Sequence, residues 1–220
     1  MFDTTTIAGP CGPFLIPATP HNTRERAQFV CEQVWSGAEY PIDALPDGIG
    51  SLVDIGAHCG SFAVLALKRW PSLSALYCYE PNALAAELAD RNINAALHAL
   101  GRNNVAVVVH AVAVTSDAAP RFSLPWDWAV ARTYGVGEGG TAVASCHPRA
   151  LPPADLVKCD GEGIEVDVLS HYLHWGALKA LLLEIHYPGH KESIHTLCEL
   201  QGLRRISGED GPYGPSSWVR

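Results

Sequence analysis

The chain has 220 residues, 48% hydrophobic and 17% charged, with a formal net charge of −8 and an isoelectric point near 5.6. These values fit one folded domain with a sizeable core and exclude a disordered chain. The acidic balance argues against an overall nucleic-acid footprint and against an anionic membrane surface as partner. The first ten residues, MFDTTTIAGP, carry no basic segment and no long apolar run, so no secretory signal is expected. No apolar run reaches the ~18 residues needed to span a bilayer. Seven scattered cysteines without a C-x-x-C spacing suggest neither a zinc ribbon nor a dithiol redox site. Buried thiols in a reducing, cytoplasmic setting are the simplest reading.

Residues 1–20 hold Pro10, Pro13, Pro17 and Pro20 and read as an extended arm, with a short strand at Phe14–Ile16. Asn22, with Glu25 three residues on, starts a helix that runs to Trp35 and ends at Gly37. Residues 1–48 thus read as an arm and helix packed on a main domain of residues 49–220. In that domain short apolar strands alternate with helical patterns. The strands are Ser51–Ile55, Ala75–Tyr79, Val105–Val114, Leu156–Cys159 and Ala180–Ile185. The helices run from Ser61, read as its cap, to about Trp70, from about Asn82 to Leu100 with Gly101 as the stop, from about Ile164 to His174, and past Pro188 to about Leu200. Leu203–Ile206 and Ser217–Val219 are weaker strand candidates. This alternation predicts an α/β, doubly wound, seven-stranded, mostly parallel sheet with helices on both faces. Residues 119–154 interrupt it with Trp126, Trp128, Tyr134 and a glycine run, and read as a substrate lid or as an insertion packed on the core.

The stretch SLVDIGAHCG, Ser51–Gly60, places a carboxylate and two glycines at a strand-to-helix turn. Ligands of open α/β sheets sit at such turns, where glycines allow close backbone approach. The spacing Gly56-x-x-x-Gly60 is not the Gly-x-Gly-x-x-Gly that holds a pyrophosphate. Asp54, two residues before Gly56, suits a ligand with an ammonium group and no phosphate, which points to S-adenosylmethionine. The next strand, ALYCYEPN, ends in Glu80, 26 residues after Asp54. An acidic side chain there can accept hydrogen bonds from both ribose hydroxyls.

With DIGAHCG and YEPN followed by KCDGEGIE (Lys158–Glu165) and LLLEIH (Leu181–His186), the sequence resembles the FkbM-type methyltransferases from about Glu39 to His186. The resemblance implies a Rossmann-like class I methyltransferase fold and an enzyme that uses S-adenosylmethionine to O-methylate a small molecule, a sugar or natural product. It implies cofactor contacts at Tyr40, Asp54, Gly56, Ala57, His58, Gly60, Ser61, Phe62, Glu80, Pro81, Asn82, Ala111, Val112 and Asp160. Tyr40 reads equally well as a packing tyrosine. His58 and Gly161 depart from the family's usual residues at their positions.

Methyl transfer from a sulfonium needs the acceptor positioned and its proton removed. Asp160, Glu162 and Glu165 follow the strand that should neighbour the glycine turn, and Glu184 and His186 end the next one. Asp160 and Glu162 are catalytic candidates; the plainer alternative places Glu162 and Glu165 in a first helical turn as capping charges, and Glu165 is expected to cap or support the loop. His186 is the preferred general base, against a histidine satisfied by backbone partners. Trp126, Trp128, Tyr134 and Glu184 are the substrate-side candidates. No bound metal is expected: His171 and His174 lack a third ligand at close spacing, and metal assistance through Asp160 is secondary. The alternatives are an oxidoreductase of the NAD type, which wants the missing phosphate turn, and a non-catalytic cofactor-binding domain.

Overall fold

The computed structural model describes residues 4–17, 24–118, 120–123, 132–134, 141–208 and 214–220. The chain opens with β1 (Thr4–Gly9) and β2 (Gly12–Pro17), then α1 (Arg24–Trp35). The core follows as β3 (Ser51–Ile55), α2 (Ser61–Arg69), β4 (Ala75–Tyr79), α3 (Ala83–Leu100) and β5 (Ala106–His110). Short strands come next: β6 (Ala113–Val114), β7 (Arg121–Ser123), β8 (Arg132–Tyr134), β9 (Thr141–Ala142) and β10 (Ser145–Cys146). The chain closes with β11 (Leu156–Cys159), α4 (Glu165–His171), β12 (Ala180–Ile185), α5 (His190–Leu200), β13 (Arg204–Gly208) and β14 (Gly214–Val219).

Seven strands form one sheet in the order β13-β14-β12-β11-β3-β4-β5. Only β14 runs antiparallel to its neighbours. Alternate residues of each central strand feed two cores. Leu52, Leu76, Leu156 and Leu182 pack towards α1, α2 and α3, while Val53, Val157, Leu181 and Leu183 pack towards α4 and α5. Burial on both faces explains why these strands read as nearly continuous apolar runs. The order reverses direction between β3 and β11, which lie side by side with Asp54 opposite Lys158. That junction is the switch point at which such sheets bind ligands.

Several sequence expectations need correction. The expected strand at Phe14–Ile16 lies within β2, but the proline-rich arm as a whole is an antiparallel hairpin, β1 with β2, tied to α3 through Asn92, whose side chain bonds both the amide and the carbonyl of Leu15. The expected strand Val105–Val114 is two strands. β5 is the sheet's edge and stays partly exposed, and Ala113–Val114 pairs instead with β10. Ser61 does not cap α2; Gly60, in the left-handed conformation, holds that place. Helix α4 ends at His171, so His171 and His174 do not share a helix. The proposed cap Asn22 lies outside the described residues, as do Trp126, Trp128 and the glycine run 135–140. All seven cysteines are free thiols. Among the described residues no helix is long and apolar enough to cross a membrane.

Candidate active site

The turn after β3 is fixed by its neighbours on both sides. The amides of Gly56 and Ala57 donate to the Tyr79 carbonyl at 2.9 and 3.2 Å, drawing the loop towards β4. Gly56 has φ +73°, and a Cβ there would lie 1.8 Å from the Asp160 carbonyl oxygen. The loops after β3 and β11 therefore pass in direct contact, and only glycine fits between them. Gly60, at φ +84°, backs onto Ala89 of α3, where a Cβ would lie 3.2 Å from its Cα.

Glu80 closes the loop from below. One carboxylate oxygen accepts the His58 amide at 2.8 Å, and the other accepts the Asn82 amide at 2.9 Å. Burial pushes its pKa up to about 7, against the lowering effect of those two amides. The Asn82 side chain caps α3 through the amides of Leu84 and Ala85. Pro81 lies between them at the strand end. Ala111 and Val112 follow β5, whose His110 carbonyl accepts the Glu80 amide. Ala57 and Phe62 are buried, and the Ser61 carbonyl accepts the Trp35 indole N–H. The half-buried His58 imidazole is kept neutral by its packing and then by the nearby Lys158 ammonium.

Asp54 is wholly buried, and neither of its oxygens accepts a hydrogen bond. Its partner is Lys158, whose Nζ lies 3.4 Å away. Lys158 was not singled out from the sequence, yet it joins both loops. It donates to the Gly56 carbonyl at 2.8 Å and sits 3.3 Å from Asp160 Oδ2. Burial opposes its charge, but Asp160, Asp54, Glu39 and Glu184 outweigh burial and raise its pKa. A lysine inside the otherwise apolar strand Leu156–Cys159 was the available signal. Glu39 also belongs here: its ligand oxygen, Asp160 and Glu184 lie within 4.8 Å of one another. Tyr40, next in sequence, packs edge-on against Phe62 with centroids 5.6 Å apart. Its buried hydroxyl lies near Glu39 without reaching full hydrogen-bond geometry.

On the β11–β12 side, His186 Nδ1 donates to Glu165 Oε1 at 2.9 Å, and Nε2 faces Glu162 at 3.3 Å and Asp160 at 3.6 Å. Burial disfavours the imidazolium. The hydrogen bond to Glu165 and the charges of Asp160, Glu165 and Glu162 outweigh it and raise the pKa to about 9. Glu162 precedes α4 at φ +57°, so it is not in the helix's first turn as expected; Glu165 is. Glu165 accepts the Gly163 amide and thereby supports the loop. Glu184 is pushed up to about 8, first by burial and then by Asp160. Tyr134 falls in β8, with nothing described that brings it to this site.

No protein-family model matches the sequence, and no curated protein matches it. The fold is similar to the crystal structure of methyltransferase FkbM from Methylobacillus flagellatus, with TM-score 0.56 and 12% identity over 84% of this chain and 48% of that one. This chain thus spans about half the length of that protein. Weaker likenesses are to ribosomal protein L11 methylase from Lactobacillus delbrueckii (TM-score 0.49, 12% identity, 87% of this chain and 79% of that one). Another is magnesium protoporphyrin IX methyltransferase from Synechocystis with bound S-adenosylmethionine (TM-score 0.47, 14% identity, 88% of this chain and 79% of that one). The chain has the mixed α/β, Rossmann-like fold of methyltransferases, a mostly parallel seven-stranded sheet.

Proposed function

We propose that this chain is an S-adenosylmethionine-dependent methyltransferase that O-methylates a hydroxyl of a small molecule, such as a sugar or natural product. The observation that carries the reading is the pairing of Asp54 and Glu80 around a glycine turn at the sheet's switch point. Asp54 is ion-paired through Oδ1 with Lys158 at 3.4 Å, and its oxygens have acceptor capacity left over for a cationic amino-acid group. Glu80 spends one interaction per oxygen on backbone amides, and each oxygen keeps a lone pair for a ribose hydroxyl. Gly56 and Gly60 let this turn pack directly against the Asp160 loop and against Ala89. The group so held would supply an activated methyl on sulfur.

The chain's own residues then position the acceptor and handle its proton. Asp160, tied to Lys158, is held at the mouth of the turn. Asp160, Glu162 and Glu184 offer oxygens that accept an acceptor hydroxyl. With a pKa near 9, His186 is an imidazolium at neutral pH. It acts as general base only in the fraction that has lost its proton, so its contribution rises with pH. The 119–154 segment is proposed to close over the acceptor, in a cytosolic setting that keeps the thiols reduced.

The test is production of S-adenosylhomocysteine with a panel of hydroxylated acceptors and their amine counterparts. Turnover that depends on a hydroxyl supports the proposal. Methyl found on nitrogen, or no turnover while the cofactor binds, overturns the O-methyl reading.

A further inference from the structure

Beyond the cofactor turn, the loop after β11 and the end of β12 assemble a mixed set of ligand atoms. Asp160, Glu162 and His186 each offer one, all within 4.8 Å of one another. His186 Nε2 lies 3.3 Å from Glu162 Oε2 and 3.6 Å from Asp160 Oδ1. Ligands about 2.1 Å from a single cation sit roughly 3.0–3.5 Å apart, so these separations already approach a shared coordination sphere.

Three further features point the same way. The ring is oriented from behind: Glu165, fully buried, takes His186 Nδ1 at 2.9 Å and leaves Nε2 as the atom turned to the carboxylates. A carboxylate on the far nitrogen is the usual support of a metal-ligating histidine. The other Glu165 oxygen, also buried, accepts no hydrogen bond and lies 3.6 Å from His190 Nδ1. Asp160 divides its oxygens, Oδ2 towards Lys158 at 3.3 Å and Oδ1 towards His186. Lys158 therefore steadies the loop without covering the ligand atom. Finally, Glu39, Asp54, Glu165 and Glu184 surround the trio with carboxyl groups, whose neighbouring basic groups include Lys158 and the His186 imidazole itself. A divalent cation bound there would take the place of the imidazole proton.

We propose that Asp160, Glu162 and His186 form a binding site for one divalent first-row transition cation such as Mn²⁺. Two carboxylates with one imidazole suit such an ion better than Mg²⁺ or Ca²⁺, whose sites are built from oxygen. Three protein ligands leave positions open for an acceptor hydroxyl, whose proton the ion would make easier to remove; with Nε2 on the ion, His186 would be a ligand and the general-base role assigned to it would apply to the ion-free protein. The site does not depend on the methyl-transfer reading, because the ion is measured without cofactor or acceptor.

The experiment titrates the full chain, stripped with chelator, with Mn²⁺ alone, following the free-ion signal by electron paramagnetic resonance and the heat by calorimetry. One saturable site is expected. Glu162→Gln and His186→Ala should each weaken it at least tenfold, and Glu165→Gln should weaken it by a smaller, measurable factor. Glu162 stands in a loop, so Glu162→Gln keeps the fold, checked by an unchanged melting curve. Failure of Mn²⁺ to saturate a site, or equal binding by wild type and Glu162→Gln, overturns the proposal. One saturable Mn²⁺ site in a protein that binds no S-adenosylhomocysteine would support the site and count against the methyl-transfer reading alone.

Discussion

Glu80 does two things at once, and that decides how its substitution reads. It fixes the His58 and Asn82 amides, and it is the proposed ribose acceptor. Glu80→Ala should cost about 1.5–3 kcal/mol of cofactor affinity, the worth of hydrogen bonds to a charged group, which is at least about tenfold in Kd. Lys158 is the more demanding position. Removing it in Lys158→Met leaves Asp54 buried with no counter-charge, and should cost about 3–5 kcal/mol of stability by chemical denaturation. The double variant Asp54→Asn with Lys158→Met should be milder than the single one. Equal loss in both would mean that the pair is not coupled. The His186 reading is tested by the pH dependence of kcat at saturating cofactor. The rate should climb as pH rises towards about 9, and His186→Ala should remove that climb with a loss of about 10²-fold, the lower end for a general base. A flat profile, unaltered in the variant, would move the role to Asp160 or Glu162.

The elements show what the sequence carried and what it concealed. β3, β4, β11 and β12 were legible because strands buried on both faces are apolar throughout. Helix α3 was legible at both ends, with Asn82 as cap and Gly101 as stop. The hairpin was hidden because Pro13 and Pro17 suggest a loop, although an isolated two-stranded ribbon tolerates proline at its margins. β5 was overextended because valines read alike on an edge strand and in a buried one. Within the site, Asp54, Gly56 and Glu80 could be found from spacing. Lys158 acquires its meaning only once β11 is known to lie beside β3. Gly56→Ala tests this contact between loops. The added methyl meets the Asp160 backbone at a positive φ, so strain alone of about 1–3 kcal/mol should lower Tm markedly. A variant as stable as wild type would mean that the loops are not packed as described.

At the scale of the molecule, the site gathers acidic groups that hold protons more tightly when folded. Glu80 is raised from an ordinary 4.5 to about 7, Glu184 to about 8, and His186 from 6.5 to about 9. Each contributes stability that is full below its unfolded pKa and lost as pH rises through its folded one. His58, lowered from 6.5 to about 4, works the other way below about pH 6.5, so calorimetric Tm of the unliganded protein should fall between about pH 6.5 and pH 9. Glu80→Gln removes a share of about 3 kcal/mol and should make the slope of Tm against pH more positive below about pH 7. A wild-type Tm that rises between about pH 6.5 and pH 9 would contradict the electrostatics described. The central claim is that the turn between β3 and α2 holds S-adenosylmethionine, with Glu80 on its ribose. Isothermal titration of the protein with S-adenosylhomocysteine, and separately with NAD, tests it most directly. The account predicts one site for S-adenosylhomocysteine, at least tenfold weaker in Glu80→Ala, and none for NAD. Binding of NAD in its place, or an affinity for S-adenosylhomocysteine unchanged by Glu80→Ala, would contradict it.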